Sequence, residues 1–431
     1  MRIVIIGNSA TAVGAVEAIR QYDQACEIIM ISEEPHFIYS RPLLSHYLAG
    51  EIDQSRLSYR TSDFYTKHHV HPILNMRVTA IEPESHIVYT ASGERYSYDK
   101  LLISTGGTPI VPPMPGVDMA GVFTFTRHSD VAEMEAYMAK HPVHHVVVVG
   151  GGMIGIKATD AFMKRGLRVV MVELAPRILS MSLDETASRM LTELLEEADV
   201  RVLTENTVVE ITGESVGDSG EKRVTRVELR DGRGLACDLL VFGIGVRPNA
   251  DLAREAGIQV NRGIVVDEFM RTSAPDVYAA GDVAEAYDLV VDMNRTVAIW
   301  PNAYRQGTIA GCHMVGVERP DRGGVAMNTV EVYGVPAMAI GNSAVAGDEY
   351  EYLVELDERN HRYKRLVLSN GRLVGAILVG DINRAGIYTG LIRSKLHVEA
   401  YRENLLSDRF GLLSLPDHYR KHVVRGQGIE V

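Results

Sequence analysis

His145-Val-Val-Val-Val-Gly150-Gly151-Gly152-Met153-Ile154-Gly155 is the stretch that decides the fold. Its unbroken valines read as a parallel strand buried on both faces. Glycines at 150, 152 and 155 complete G-x-G-x-x-G where that strand ends and a helix through Ala158 to Arg165 begins. The pattern has a physical purpose at each glycine: a tight turn, close backbone approach to a pyrophosphate, and close helix–strand packing. The helix start, with Ile154 in its first turn, offers free N–H groups and a positive dipole end to phosphates. A second apolar run follows, Arg168-Val-Val-Met-Val172, and Glu173 stands at its end, 23 residues after Gly150. A carboxylate there accepts from a ribose 2′-hydroxyl and repels a 2′-phosphate, so it selects NAD over NADP. Arg177 is the competing phosphate partner. Glu173 outweighs it because it sits at the strand end itself.

The same order of elements opens the chain. Arg2-Ile-Val-Ile-Ile-Gly7 leads to a helix through Ala15 to Tyr22, then to Glu27-Ile-Ile-Met-Ile31 and the acid Glu33. Here the turn is Gly7-Asn8-Ser9-Ala10-Thr11-Ala12, and only its first position keeps glycine. Ser9, Ala10 and Ala12 are small enough to let a pyrophosphate approach, and Glu33 can take ribose hydroxyls. Strand–helix–strand order twice over predicts an α/β protein with two Rossmann-like dinucleotide-binding domains. From about Val325 the pattern changes to alternating strands, Thr329 to Tyr333, Glu351 to Leu356, Arg362 to Val367 and Leu373 to Val379, with a hairpin turn at Asn370-Gly371. That predicts a third, α+β unit. The expected division is 1–113 with 248–324, then 114–247, then 325–431.

At 431 residues the chain is long enough for two or three domains. A formal net charge of -12 argues against nucleic acid and anionic membrane surfaces. Cys26, Cys237 and Cys312 are scattered, without C-x-x-C spacing. They predict small packed thiols in a reducing compartment and no disulfide framework. No apolar run approaches the ~20 residues of a membrane helix, and the strand begins at Arg2 with no secretory h-region before it. The expectation is a cytoplasmic protein.

Five motifs, taken in order, carry a family resemblance: Gly7 to Ala12, Ser104-Thr105-Gly106-Gly107, Gly150 to Gly155, Gly243-Ile-Gly245-Val-Arg-Pro-Asn249, and Tyr278-Ala-Ala-Gly281-Asp282. The chain resembles the two-dinucleotide-binding-domain flavoproteins of the pyridine nucleotide-disulfide oxidoreductase superfamily over residues 1 to about 311. The resemblance implies FAD in the first domain and NAD(H) in the second. It implies that Asp282 bonds the FAD ribityl chain, and that Thr105 and Gly106 let a crossover strand pass the flavin. It implies that a helix N-terminus faces the flavin pyrimidine, either directly after Asp282 or near Asn302 and Ala303.

Phe37-Ile-Tyr-Ser-Arg41-Pro42-Leu-Leu-Ser45 resembles the ferredoxin- and rubredoxin-reductase branch. Disulfide reductases of the superfamily carry a C-x4-C pair there, whereas this chain has no cysteine between Cys26 and Cys237. Electrons arriving as hydride are therefore expected to leave from the flavin to an external acceptor. The chain departs from the branch at two places. His46 stands where the branch has lysine, and Lys157 where it has glutamate. The expectation is that Lys157 supplies a cation near the flavin's reactive nitrogen, with His46 as its neighbour.

Residues from about 325 to 395 resemble the C-terminal domain of rubredoxin reductases and NADH–nitrite reductase chains. From Arg393 to Arg425 seven Lys/Arg face four Asp/Glu, with His418-Tyr-Arg-Lys-His422 the densest cluster. This is either a solvated surface or a charge-steered dock for an acidic iron–sulfur protein. Three stretches, Met1 to Gln21, Tyr39 to Gly50 and Gly375 to Gly386, resemble the flavoprotein subunit of phenylglyoxylate dehydrogenase-type 2-oxoacid oxidoreductases. The expected role is hydride exchange between NAD(H) and FAD and single-electron exchange with an iron–sulfur partner, as the NAD-reducing subunit beside 2-oxoacid dehydrogenase subunits. A stand-alone NADH:ferredoxin or NADH:rubredoxin reductase and a low-turnover flavin redox sensor are the alternatives. Relatives that pair through the C-terminal domain make a homo-oligomer a further expectation.

Overall fold

The computed structural model describes residues 1–215 and 222–416. Two five-stranded parallel sheets organise it. The first runs Val277–Ala279, Lys100–Ile103, Arg2–Ile6, Glu27–Ile31, Val70–Ile73. The second runs Arg201–Leu203, Arg168–Val172, His145–Val149, Leu239–Phe242, Val122–Thr124. Both centre on the valine- and isoleucine-rich strands that precede the glycine turns. Ile3 to Ile5 and Val146 to Val148 are fully buried, as strands covered on both faces must be. Each sheet reverses its winding at its central strand, which places a crevice at the carboxyl ends beside Gly7 and Gly150.

Helix Ala10–Tyr22 buries Ala12, Val13, Val16 and Ile19 in one core with the strands of the first sheet. It packs on helix Trp300–Met314 closely enough that backbone meets backbone. A Cβ on Gly14 would lie 2.2 Å from the Tyr304 carbonyl oxygen, and one on Gly307 would lie 2.0 Å from that of Thr11. Glycine at these positions is thus a packing requirement. Each domain also carries a three-stranded antiparallel sheet that the sequence pattern did not reveal: Val78–Glu82, Ile87–Thr90 and Arg95–Ser97 in the first, and Val208–Ser215, Lys222–Leu229 and Gly234–Ala236 in the second. The domains are joined by a short antiparallel pair, Gly107–Pro109 with Val246–Pro248.

The chain forms two compact units. One holds Met1–Pro176 and Asp199–Gly324, with both parallel sheets. The other begins at Val325 and also takes Arg177–Ala198. This second unit is a five-stranded antiparallel sheet, in order Met327–Val332, Val335–Gly341, Arg372–Val379, Arg362–Ser369, Glu351–Asp357, with helix Ala385–Ser394 against it. Asn370 (φ 50°) and Gly371 (φ 68°) make its central hairpin turn, both in the left-handed region that the two-residue turn demands. Helix Glu185–Glu197 is anchored within this unit. Its capping Asp184 accepts from Ala187 N and from the Tyr363 hydroxyl, and the Ser343 hydroxyl donates to the Ser182 carbonyl at 2.7 Å. Among the described residues no helix is long and apolar enough to cross a membrane. Of the basic terminal segment, Arg402 pairs with Glu351 at 2.6 Å, while the cluster at His418 to His422 lies outside the described residues.

Candidate active site

The first turn is built by strand contact. Gly7 (φ 120°) donates to the Ile31 carbonyl at 2.8 Å, and a Cβ there would lie 2.3 Å from the Ser104 oxygen. Ser9 caps helix Ala10–Tyr22 without using its side chain. Asn8 ties the turn to the next loop, donating to the His36 carbonyl at 3.1 Å and accepting from the Tyr65 hydroxyl at 2.9 Å. That loop carries Glu33 and Glu34. Glu33 pairs with Arg127 at 2.9 Å. Glu34 binds the Arg41 guanidinium and the Tyr39 hydroxyl, each at 2.7 Å. Arg41 also donates to the Thr126 carbonyl at 3.0 Å, while Pro42 pre-sets the short turn Arg41–Leu43. The acid-bearing loop is thereby clamped to the start of helix His128–Lys140.

Opposite lies Gly281, whose N–H donates to Gln306 Oε1 at 2.8 Å. Its neighbour Asp282 is half-buried and has no hydrogen bond among the described residues. Burial pushes its carboxyl above the usual range, and the charge of Arg41 opposes that rise. A desolvated carboxylate short of donors fits sugar hydroxyls. Strand Ala284–Asp288, not a helix, follows Asp282, so the helix at this site is Trp300–Met314. Asn302 and Ala303 are buried in its first turn. Asn302 donates to the Val297 carbonyl at 3.1 Å.

The second turn is tighter. A Cβ on Gly155 would lie 1.8 Å from the Gly150 oxygen, and Gly152 opens helix Met153–Lys164 facing free space. Ile154 is half-buried beside it. The Glu173 carboxylate accepts from Gly151 N and, at 2.7 Å, from Ala175 N. These bonds aim it at the turn and leave further lone pairs for a ribose. Gly106 (φ 66°) and Gly245 (φ 106°) also face free space. Asn249 staples the crossover strands between the two turns. It donates to the Thr105 carbonyl at 2.9 Å, accepts from the Thr108 hydroxyl at 2.7 Å, and its N–H donates to the Gly106 carbonyl at 2.9 Å.

His46 and Lys157 are not linked by a hydrogen bond or ion pair among the described residues. His46 Nδ1 lies 2.5 Å from Glu51, which also holds Lys164 at 2.8 Å. Those two contacts keep the Glu51 carboxyl below its ordinary range. Lys157 is half-buried on helix Met153–Lys164 with no such partner among the described residues. All three cysteines are buried. Burial raises each thiol, Cys237 to about 12. None of them is a poised thiolate.

Residues 1–307 match the model of the pyridine nucleotide-disulphide oxidoreductase family. The chain belongs to that family. Residues 327–396 match the rubredoxin NAD+ reductase C-terminal domain. That family is one of oxidoreductases that use FAD and NAD(H). The nitrite reductase [NAD(P)H] of Bacillus subtilis (strain 168) is 32% identical, covering 92% of this chain and 48% of that protein. The chain therefore spans about half the length of the first curated relatives it matches. The subunit epsilon of NADH-dependent phenylglyoxylate dehydrogenase from Aromatoleum evansii is 28% identical over 94% of this chain and 95% of its own length. The reductase in the covalent putidaredoxin reductase–putidaredoxin complex superposes with a TM-score of 0.84 at 26% identity, covering 98% of both chains.

The family's cofactors fit the residues present. Asp282 and the Ser9 hydroxyl, without hydrogen-bond partners among the described residues, and Arg41 suit FAD, and the Gly150 turn with Glu173 suits NAD(H). Sequence reasoning did not single out Asn8, Glu34, Tyr39 or Arg127. Arg127 and Tyr39 reach the site from loops far apart in sequence, and no local period marks them. Asn249 did carry a signal, since it closes the Gly243 to Asn249 motif.

Proposed function

We propose that the chain exchanges hydride between NAD(H) and FAD and passes single electrons to or from an iron–sulfur protein, as the NAD-facing flavoprotein subunit of a 2-oxoacid oxidoreductase of the phenylglyoxylate type. One observation carries the first part: three cysteines, all buried with raised thiols, leave no thiol relay beside the flavin. Bound FAD supplies the conversion between two-electron and one-electron transfer. The chain's own residues position the reactants. Glu173 and the Gly150 turn hold the dinucleotide, and Asp282, Arg41 and Glu33 hold FAD. The Asn249 staple fixes the strands through Gly106 and Gly245 between them, where closeness and exclusion of water favour transfer. Lys157 places a cation on the helix that begins at the NAD turn, with His46 held in a separate network through Glu51. A Lys157→Ala protein with unchanged flavin potential and NADH reduction rate would remove that role.

The end-to-end match to subunit epsilon favours the complex. The match of equal extent to a putidaredoxin reductase supports the second reading, a free reductase for a small iron–sulfur protein. Native mass in the host's own extract separates them. A large assembly with iron–sulfur absorbance co-eluting with the flavin supports the complex, whereas a yellow monomer or dimer removes it.

A further inference from the structure

Helix Trp300–Met314 carries an ion pair, half-buried at Arg305 and buried at Asp321, that neither nucleotide turn uses. Arg305 donates to Asp321 and, at 2.5 Å, to Oδ1 of Asn302. The guanidinium thus folds back over the first turn of its own helix. The Asp321 side chain is 1% exposed. Its Oδ1 also accepts from Gly323 N at 2.9 Å, but its Oδ2 is buried without a hydrogen-bond partner among the described residues. The loop is held in place where Asp321 N donates to the Glu268 carbonyl at 2.6 Å. Gly324 packs so closely that a Cβ would lie 3.1 Å from Asn302 Oδ1.

For stability alone this is a poor arrangement. A buried ion pair gains little over apolar packing, and an unpartnered carboxylate oxygen adds a desolvation cost. Its electrostatic effect is specific, however. A helix N-terminus already carries partial positive charge. Arg305 adds a full positive charge at that end, and Asp321 masks it. The same first turn stands beside Gly281 and Asp282: Gly281 is bonded to Gln306, and a Cβ on it would lie 3.6 Å from Ala303 Cβ.

We propose that Asp321 is a positioning residue which, through Arg305 and Asn302, sets how much positive charge the N-terminus of this helix presents to the flavin, and so tunes its redox potential. The inference rests on the assignment of Asn302, Ala303 and Asp282 to FAD. Removing the mask strengthens the cation and favours the reduced, more negative cofactor. Removing the cation leaves the carboxylate and does the reverse.

The test is the flavin midpoint potential of the FAD-loaded full chain at pH 8, by dye equilibration, for Asp321→Asn and Arg305→Met. Asp321→Asn is expected to raise the potential and Arg305→Met to lower it. Each shift should be about tenfold in the oxidised-to-reduced equilibrium, about 30 mV for a two-electron couple. Arg305→Lys, which keeps the charge, should return the potential toward the parent value. Opposite shifts support the proposal, because plain structural damage does not change sign with the charge removed. Shifts of one sign, or none, overturn it. If Asp321→Asn loses its flavin, the comparison of Arg305→Met with Arg305→Lys decides alone. Asp282→Asn is measured in parallel, and unchanged FAD retention there would sink the cofactor assignment instead.

Discussion

Gly307→Ala is expected to loosen the grip on FAD by forcing two helices apart. A Cβ at 307 would lie 2.0 Å from the Thr11 carbonyl oxygen, and real contacts of that kind stay above 3.0 Å. Helices Ala10–Tyr22 and Trp300–Met314 must then separate by about 1 Å. Overpacking of this sort costs about 1–3 kcal/mol, against about 0.5–1 kcal/mol gained from alanine in a helix. The net loss is up to about 2.5 kcal/mol. Thr11 belongs to the first nucleotide turn and touches Gly281 as well: a Cβ on Gly281 would lie 2.3 Å from its hydroxyl. The displacement therefore reaches the phosphate end and Asp282 together, and FAD retention should fall by about tenfold for each 1.4 kcal/mol of that loss. Flavin fluorescence after dilution reads FAD release, and thermal unfolding reads stability. Gly386→Ala is the matched control. It lies in helix Ala385–Ser394 with nothing within 4 Å of a Cβ, and should gain about 0.5–1 kcal/mol. A Gly307→Ala protein as stable as its parent with unchanged FAD retention would refute the packing argument.

Glu173→Ala should weaken NADH binding by roughly 10- to 100-fold, from about 1.5–3 kcal/mol for hydrogen bonds to a charged acceptor, and affect NADPH less; an unchanged NADH/NADPH preference in steady-state kinetics would exclude the role. Asp282→Asn should stabilise the apo-protein at pH 7 while weakening FAD retention. Burial raises this carboxyl, so its contribution to stability is full only below the unfolded value near about 3.9 and is lost as pH rises through the folded one. Apo-protein melting that does not respond to Asp282→Asn would contradict this. His128 is buried with both ring nitrogens unpartnered among the described residues and its centroid 4.2 Å from that of His36. Burial and His36 lower its pKa against the pull of Glu34. Its contribution is complete above about 6.5 and lost as pH falls below that, so His128→Phe should flatten part of the acid decline in melting temperature. The same slope in both proteins would show that His128 is not responsible.

The architecture was legible wherever burial on both strand faces writes itself into composition. Arg2–Ile6, Glu27–Ile31, His145–Val149 and Arg168–Val172 are the strands their valine and isoleucine runs announce. The Asn370-Gly371 turn was legible for another local reason, the positive φ it requires. Two features were not. The short antiparallel insertions have one solvated face and weak alternation, as in Val208–Ser215 with its five polar or glycine positions after the first two valines. Helix Glu185–Glu197 carries no such mark, and it is tied to the second unit by contacts more than a hundred residues away: Tyr363 and Arg365 to Asp184, and Ser343 to the Ser182 carbonyl. At the site, the glycines and strand-end acids were visible because their chemistry is local. The clamp that joins Glu33 to Arg127 and Arg41 to the Thr126 carbonyl was not, because its two halves, some 85 residues or more apart, meet only in the folded chain.

In the proposed function electrons pass between nicotinamide and flavin with no thiol in the path. An anaerobic titration of the FAD-loaded protein with NADH tests it most directly. Complete bleaching of the flavin is expected at about one NADH per FAD, with no further uptake of reducing equivalents. Uptake of a second equivalent per FAD, accompanied by a long-wavelength thiolate–flavin band, would contradict it.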